Sequence, residues 1–316
     1  MLINMKILSH PMNRVQRVMV ACVVDEVEVV IKPALEYKID KVHLIHFIQN
    51  VDSTDINRTA RSRFYQQFFD EVCKRLEDEN IIWEEHNKYE VWKFDKMLEE
   101  VYHIVDEETK SGSIVYVNIS GGTNQYAAAA AIASMTLGAT LFNMGSDVEY
   151  SAEHYEKWTK ECTVDDKLLG RTIKVTGPYE LDKIDIKPPD IKLLKALKIF
   201  SMVPLKERIN RNVIYNLMRN GLWFPSSLED NQLEGSSFNN ENDFNLRNKE
   251  GVQYERQYVK KWLSWGWISN EDTNGTIYDL TKMGKMYIDV YCSDYVFTPT
   301  QNYDPSPYYG KRQRRH

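Results

Sequence analysis

Between Ile114 and Met144 the chain spells out a single folding unit. Ile114 to Ile119 is an apolar run too short for most helices, and Ser120-Gly-Gly-Thr123 follows it as a small-residue turn. Asn124 then opens a helix with five consecutive alanines, Gly138 stops it, and Ala139 to Met144 is a second apolar run. The pattern predicts strand, turn, helix, strand, with both strands buried in a parallel sheet. A turn at the amino end of a helix presents unpaired N–H groups and the positive dipole end, which suits a phosphate. The alternative is that the glycines only turn the backbone and the alanines only allow close packing. Neither GxGxxG nor GxxxxGK[ST] occurs in the turn, and Thr123 caps the helix on both readings.

The preceding residues repeat the alternation. Strands are predicted at Arg17–Val24, Lys41–Ile48 and Ile81–Glu85, and helices at Asp25–Tyr37, Thr59–Glu79 and Phe94–Thr109. This order argues a doubly wound parallel sheet, whose ligands sit beyond the carboxyl ends of the strands. The loops after Val24, Ile48, Ile119 and Met144 are therefore the candidates. Arg58, Arg61 and Arg63 follow the second of these and can serve an anion, or simply face solvent.

Periodicity fades from Gly145 to Pro189, with one strand expected at Arg171–Thr176, and the Asp185–Pro189 stretch reads as a linker. Beyond it come helices at Asp190–Phe200 and Lys206–Asn220, an Asn-rich insertion at Ser226–Glu250, and a third helix at Val252–Trp265. A hairpin turning at Asn274-Gly275 and a last helix capped by Thr281 complete a winged helix-turn-helix. The expected architecture is α/β: a Rossmann-like parallel-sheet domain over 1–180, a winged helix-turn-helix over 181–296, and a flexible basic tail over 297–316.

At 100° per residue, Val252, Val259 and Leu263 share one face of the third helix, flanked by Trp262. Gln253, Tyr254, Gln257, Lys260 and Lys261 fall opposite, an inventory able to contact base edges and phosphates of double-stranded DNA. An ordinary solvated face is the plainer reading, and the acidic Glu271 and Asp272 at the wing tip oppose DNA. Charge agrees weakly with DNA binding. From Asp190 onward Lys+Arg number 18 against 15 Asp+Glu, whereas the preceding residues carry 22 against 31.

The four cysteines form no CxxC pair, and no apolar stretch reaches the ~20 residues that span a bilayer. A cytoplasmic protein without a membrane partner is expected. His43 and His46 stand three apart on a strand and so face opposite ways, no HExxH occurs, and Ser120 lacks the GxSxG elbow. No metal, cofactor or catalytic residue is expected. Asp25 and Glu26, after the first strand, are candidates for a ribose hydroxyl or for acids that simply favour a helix start.

Val115 to Met144, together with Ile31 to Ile45, resembles the CARF-domain (CRISPR-associated Rossmann fold) winged-helix transcriptional regulators of archaea. The Ser-Gly-Gly-Thr unit is the specific element of that likeness. The resemblance implies a homodimer that binds a cyclic oligoadenylate across its two-fold axis, with the phosphate motif on Ser120, Gly121, Gly122, Thr123 and Asn124. Asp25 and Glu26 depart from the family, whose members carry small or hydroxyl residues there. No RxxxxH follows Asp190, which disfavours a HEPN ribonuclease. The leading expectation is a ligand-responsive DNA-binding regulator. Its rivals are a metal-independent ring nuclease that degrades cyclic oligoadenylate, and an adaptor whose winged helix binds protein.

Overall fold

A computed structural model describes residues 14–48, 56–147, 163–164, 167–168, 174–184, 186–205, 208, 213–214, 216–217, 220–222, 248–270 and 278–296. The chain forms two compact units, Met1–Lys187 and Pro188–His316. Among the described residues no helix is long and apolar enough to cross a membrane.

The first unit alternates β1 (Arg17–Cys22), α1 (Glu28–Glu36), β2 (Lys41–Ile45), α2 (Ile56–Asp78), β3 (Ile82–His86), α3 (Phe94–Lys110), β4 (Ile114–Asn118), α4 (Asn124–Leu137) and β5 (Thr140–Asp147). A small antiparallel pair, β6 (Thr163–Val164) and β7 (Lys167–Leu168), precedes β8 (Lys174–Glu180). The sheet runs β3-β2-β1-β4-β5-β8. The first five strands are parallel, and β8 pairs antiparallel with β5. This is a mixed α/β, Rossmann-like sheet. The strand expected at Arg171–Thr176 runs instead to Glu180, where pairing with β5 extends it.

Apolar residues fill both faces of the central strands, as a sheet covered on both sides requires. Met19, Ala21, Val42 and Leu44 join Val30, Ile31 and Ala34 of α1 and Phe68, Val72 and Leu76 of α2 in one core. On α3, Met97, Leu98, Val101, Ile104 and Val105 recur at three- and four-residue spacing and are buried. Each such side chain contributes ~1.5–3 kcal/mol by leaving water. Helix α4 packs against α3, and its buried face carries Ala129, Ala130 and Ala133, small side chains that allow close approach of its neighbours.

In the second unit, α5 (Ile191–Met202) is capped by Asp190, whose Oδ1 accepts from the Lys192 N–H at 2.9 Å. A continuous helical stretch follows as α6 (Asn248–Tyr254), a π-helical turn (Glu255–Val259) and α7 (Lys260–Ser264). The antiparallel pair β9 (Ile268–Asn270) and β10 (Tyr278–Leu280) leads to α8 (Lys282–Cys292). Thr281 caps α8 by accepting from the Gly284 N–H at 3.0 Å. Leu193, Leu197, Phe200, Val213, Ile214, Leu217, Trp262, Trp267 and Ile288 form the core. Most of the predicted Lys206–Asn220 helix, the Ser226–Glu250 insertion apart from its last residues, the hairpin turn with Glu271 and Asp272, and the tail lie outside the described residues.

Candidate ligand site at the switch in strand order

Strand order reverses between β1 and β4: β2 and β3 lie to one side of β1, β4 and β5 to the other. Chain leaving β1 enters α1 on one face of the sheet, while chain leaving β4 enters α4 on the opposite face. The divergence opens a crevice at the strands' carboxyl ends, the place where open α/β sheets bind ligands. Of the four candidate loops, those after Val24 and Ile119 flank this switch. The loop after Ile48 belongs to β2, away from it. In that region the side chains of Arg58 and Arg61 lie outside the described residues, and Arg63 is exposed on α2.

The two glycines of the turn are dictated by Cys22 at the end of β1. A β-carbon on Gly121 would lie 2.5 Å from the Cys22 carbonyl oxygen. Gly122 has φ +94°, and a β-carbon there would lie 2.8 Å from the Cys22 Sγ. Close strand–turn packing thus accounts for both, as the plainer sequence reading allowed. It also presses the turn against β1, so that the β1–α1 and β4–α4 loops share one rim.

Ser120 and Thr123 spend their side chains inside the fold. The Ser120 hydroxyl donates to Asn118 Oδ1 at 2.6 Å and accepts from the Met144 N–H at 2.6 Å, tying the turn to β5. Thr123 caps α4 by accepting from the Tyr126 N–H at 3.2 Å, and donates to the Val91 carbonyl at 2.6 Å. Among the described residues, the N–H groups of Gly121, Gly122, Asn124 and Gln125 meet no protein acceptor. Gly122, Asn124 and Gln125 are exposed. These backbone donors, at the positive end of a 14-residue helix, are what the crevice offers an anion.

Asp25 is buried and Glu26 half-buried in the β1–α1 loop, each with a partner inside the chain. Burial pushes the Cys22 thiol up to about 12, so it stays protonated at neutral pH and is no nucleophile. Sequence reasoning passed over Asn118, the residue that organises the corner. Its Oδ1 also accepts the Ser120 N–H at 2.9 Å, its Nδ2 donates to the Val29 carbonyl at 2.7 Å, and its carbonyl accepts from the Tyr126 hydroxyl at 2.9 Å. A polar residue closing an apolar strand, Val-Tyr-Val-Asn, was the available signal.

In the second unit the expected face of the third helix needs correction. Gln257, Lys260 and Lys261 are exposed and Gln253 half-buried, but Tyr254 is 1% exposed and belongs to the core. Val252 and Leu263, expected inside, are 53% and 36% exposed. The core takes the aromatic stripe instead: Tyr254, Tyr258 and Trp262, at i, i+4 and i+8, share one face at 100° per residue. The Lys260 N–H reaches back to the Glu255 carbonyl, placing one extra residue in the π turn. On the buried side, the Tyr258 hydroxyl donates to the Leu222 carbonyl and the Trp262 indole N–H to that of Leu193.

A protein-family model described as "HFX_2341_N:-like, N-terminal" matches residues 17–148, which span β1 to the end of β5. No curated protein matches the chain. Solved structures similar to it include Enterococcus italicus Csm6 bound to cyclic hexa-2'-fluoro-hexa-dAMP, at 12% identity and TM-score 0.37 over 80% of this chain and 56% of that one. Can2 from Sulfobacillus thermosulfidooxidans in complex with cyclic tetra-adenylate matches at 11% and 0.30, over 87% and 63%. Protein VC1899 from Vibrio cholerae matches at 11% and 0.31, over 86% and 64%. The chain therefore spans between 56% and 64% of the length of these three structures.

Proposed function

We propose that the first unit is a CARF-type sensor domain for an anionic nucleotide of the cyclic oligoadenylate class, and that the second is a winged helix-turn-helix for double-stranded DNA. The chain then works as a ligand-responsive transcriptional regulator. The observation that carries this reading is the placement of the unpaired amide donors of Gly121, Gly122, Asn124 and Gln125 at the β1/β4 switch. In a homodimer, two such helix ends face one ring whose symmetry matches the two-fold axis. In the second unit, Gln257, Lys260 and Lys261 project from a helix that precedes a two-stranded hairpin, the order in which a recognition helix and wing occur. For a regulator, the ligand must bind one dimer arrangement better than the other.

Calorimetric titration with cyclic tetra- and hexa-adenylate tests the sensor half. Asn124→Asp is a suitable control, because an acidic residue at the first helical position favours the helix while repelling a bound phosphate. Affinity is expected to fall about tenfold or more in that variant. Duplex-binding titrations with and without ligand test the other half; no DNA binding in either state would sink the regulator. Linear oligoadenylate appearing during incubation would instead mark a ring nuclease, and a salt-insensitive protein partner an adaptor.

A further inference from the structure

His43 and His46 do face opposite sides of the sheet: His43 bonds Glu108 of α3, whereas His46 bonds Glu85 and packs on Phe69 of α2. What the sequence spacing hides is the partner on the next strand. β2 and β3 pair in parallel with His43 opposite Glu84, and Glu84 and His86 are two apart on β3. All three share the face toward α3, and one ligand atom from each lies within 4.8 Å of the others.

The hydrogen bonds fix how the two rings are oriented. His43 Nε2 lies 2.9 Å from Glu108 Oε1, and His86 Nδ1 lies 2.9 Å from Glu100 Oε1. A carboxylate only accepts, so each of these outer nitrogens carries a hydrogen. In neutral rings the inner nitrogens, His43 Nδ1 and His86 Nε2, then both bear lone pairs, and they face each other at 2.9 Å. Two lone pairs at that separation repel unless a cation lies between them. Glu84 sits beside the gap, its two oxygens 3.8 Å from the two inner nitrogens.

We propose that His43 Nδ1, His86 Nε2 and Glu84 bind a divalent transition metal of the zinc type, with Glu108 and Glu100 orienting the two imidazoles. Two histidines and one carboxylate form a borderline-soft donor set suited to zinc and its neighbours and poorly suited to magnesium or calcium. A carboxylate on the far nitrogen of each ligating histidine is the usual support for such a site. With Zn–N bonds of ~2.0–2.1 Å, nitrogens 2.9 Å apart subtend about 90° at the metal, and opening them to roughly 3.3 Å gives the tetrahedral angle. The fourth position stays open, and the half-exposed Glu84 side chain leaves a route to it from solvent.

Lys41 is the cation already present, 2.8 Å from Glu84 Oε2 and 3.0 Å from Glu108 Oε1. One ammonium against the three carboxylates of Glu84, Glu100 and Glu108 leaves an excess of negative charge for a dication to balance. Charged side chains on an edge strand such as β3 also discourage sheet-to-sheet association. That role does not require a histidine pair flanked by carboxylates.

The test is titration of the full chain, freed of metal by chelator, with Zn2+ by calorimetry and with Co2+ by visible absorption, Mg2+ serving as a competitor. One Zn2+ per chain is expected, Mg2+ failing to displace it, with Co2+ giving the absorption bands of a low-coordinate nitrogen–oxygen site. His86→Gln should weaken Zn2+ binding at least 100-fold, and Glu108→Gln, which removes no ligand, by about 10–100-fold. Glu84→Ala changes an exposed side chain, so its expected loss of affinity cannot be ascribed to misfolding. The proposal is overturned if the chain takes up no Zn2+, or if His86→Gln and Glu84→Ala bind it as tightly as the parent. Either result would mean that a shared proton, rather than a metal, occupies the gap between the rings.

Discussion

Asn118 Nδ2 donates to the carbonyl of Val29 across 2.7 Å, joining the end of β4 to the first turn of α1, 89 residues earlier. The same side chain holds Ser120 through its oxygen, so one buried amide binds together both sides of the crevice. Any ligand that moves the β4–α4 turn therefore acts on α1 directly.

Asn118→Ala leaves the Val29 carbonyl and the Ser120 N–H without this partner. A buried polar group without a partner costs about 1–3 kcal/mol. Urea unfolding is expected to show a loss of roughly 2–4 kcal/mol, at the upper end of single-site effects. A loss below ~1 kcal/mol would mean that solvent reaches the corner and satisfies both groups.

Gly121→Ala and Gly122→Ala should both destabilise, but they should differ in what rescues them. At Gly121 the obstacle is the Cys22 backbone carbonyl, which no substitution at Cys22 removes. At Gly122 the obstacles are the Cys22 Sγ and β-carbon at 2.8 and 2.9 Å and Tyr126 Cδ1 at 3.0 Å, together with the positive φ. A double-mutant cycle with Cys22→Gly, which removes both the Sγ and the β-carbon, should recover about 1 kcal/mol or more for Gly122→Ala, leaving the contact with Tyr126 and the strain of the left-handed backbone, and nothing for Gly121→Ala. Equal recovery at both positions would refute this account of the turn.

Lys260 and Lys261 provide the electrostatic test of the second unit. If they neutralise DNA phosphates, replacing both by Ala lowers the slope of log affinity against log salt by about 2 and weakens all sequences alike. Tyr254→Ala should behave differently: it empties a core position and costs about 3–5 kcal/mol of stability. Thermal melts and salt-dependent binding of the same variants separate these effects. An unchanged salt slope in the double variant removes this helix from the DNA interface.

Asp279 carries a pH signature. Burial alone raises its carboxyl, but hydrogen bonds from Arg208 and the Leu280 N–H outweigh that and hold it below the ordinary carboxylate range. A depressed folded-state value means that its stabilisation is present above the unfolded value of ~3.9 and is lost as pH falls through the folded one. The Asp279 side chain is 40% exposed, so solvent screening keeps the effect below ~1 kcal/mol. Denaturant midpoints at pH 7 and near pH 3 should differ less in Asp279→Asn than in the parent. The same acid-induced loss in both proteins would assign it to other carboxylates.

Local pattern was enough to determine the order of elements from β1 to β5, because period and punctuation are properties of neighbouring residues. Apolar runs marked β1, β2, β4 and β5, Thr123 and Gly138 bounded α4, and the Ser120–Thr123 turn was placed at a helix start. Only the assembled sheet could decide which of four loops meet, because strand order depends on contacts among distant segments. The same holds for the reason behind the glycines, which lies in Cys22 a hundred residues away, and for the ring of His86 meeting that of His43 from the adjoining strand. In the third helix of the second unit, an aliphatic stripe through Val252 and Leu263 competed with an aromatic one through Tyr254, Tyr258 and Trp262, and the packed core took the aromatic one. The π turn at Glu255–Val259 is likewise a feature that no local preference announces.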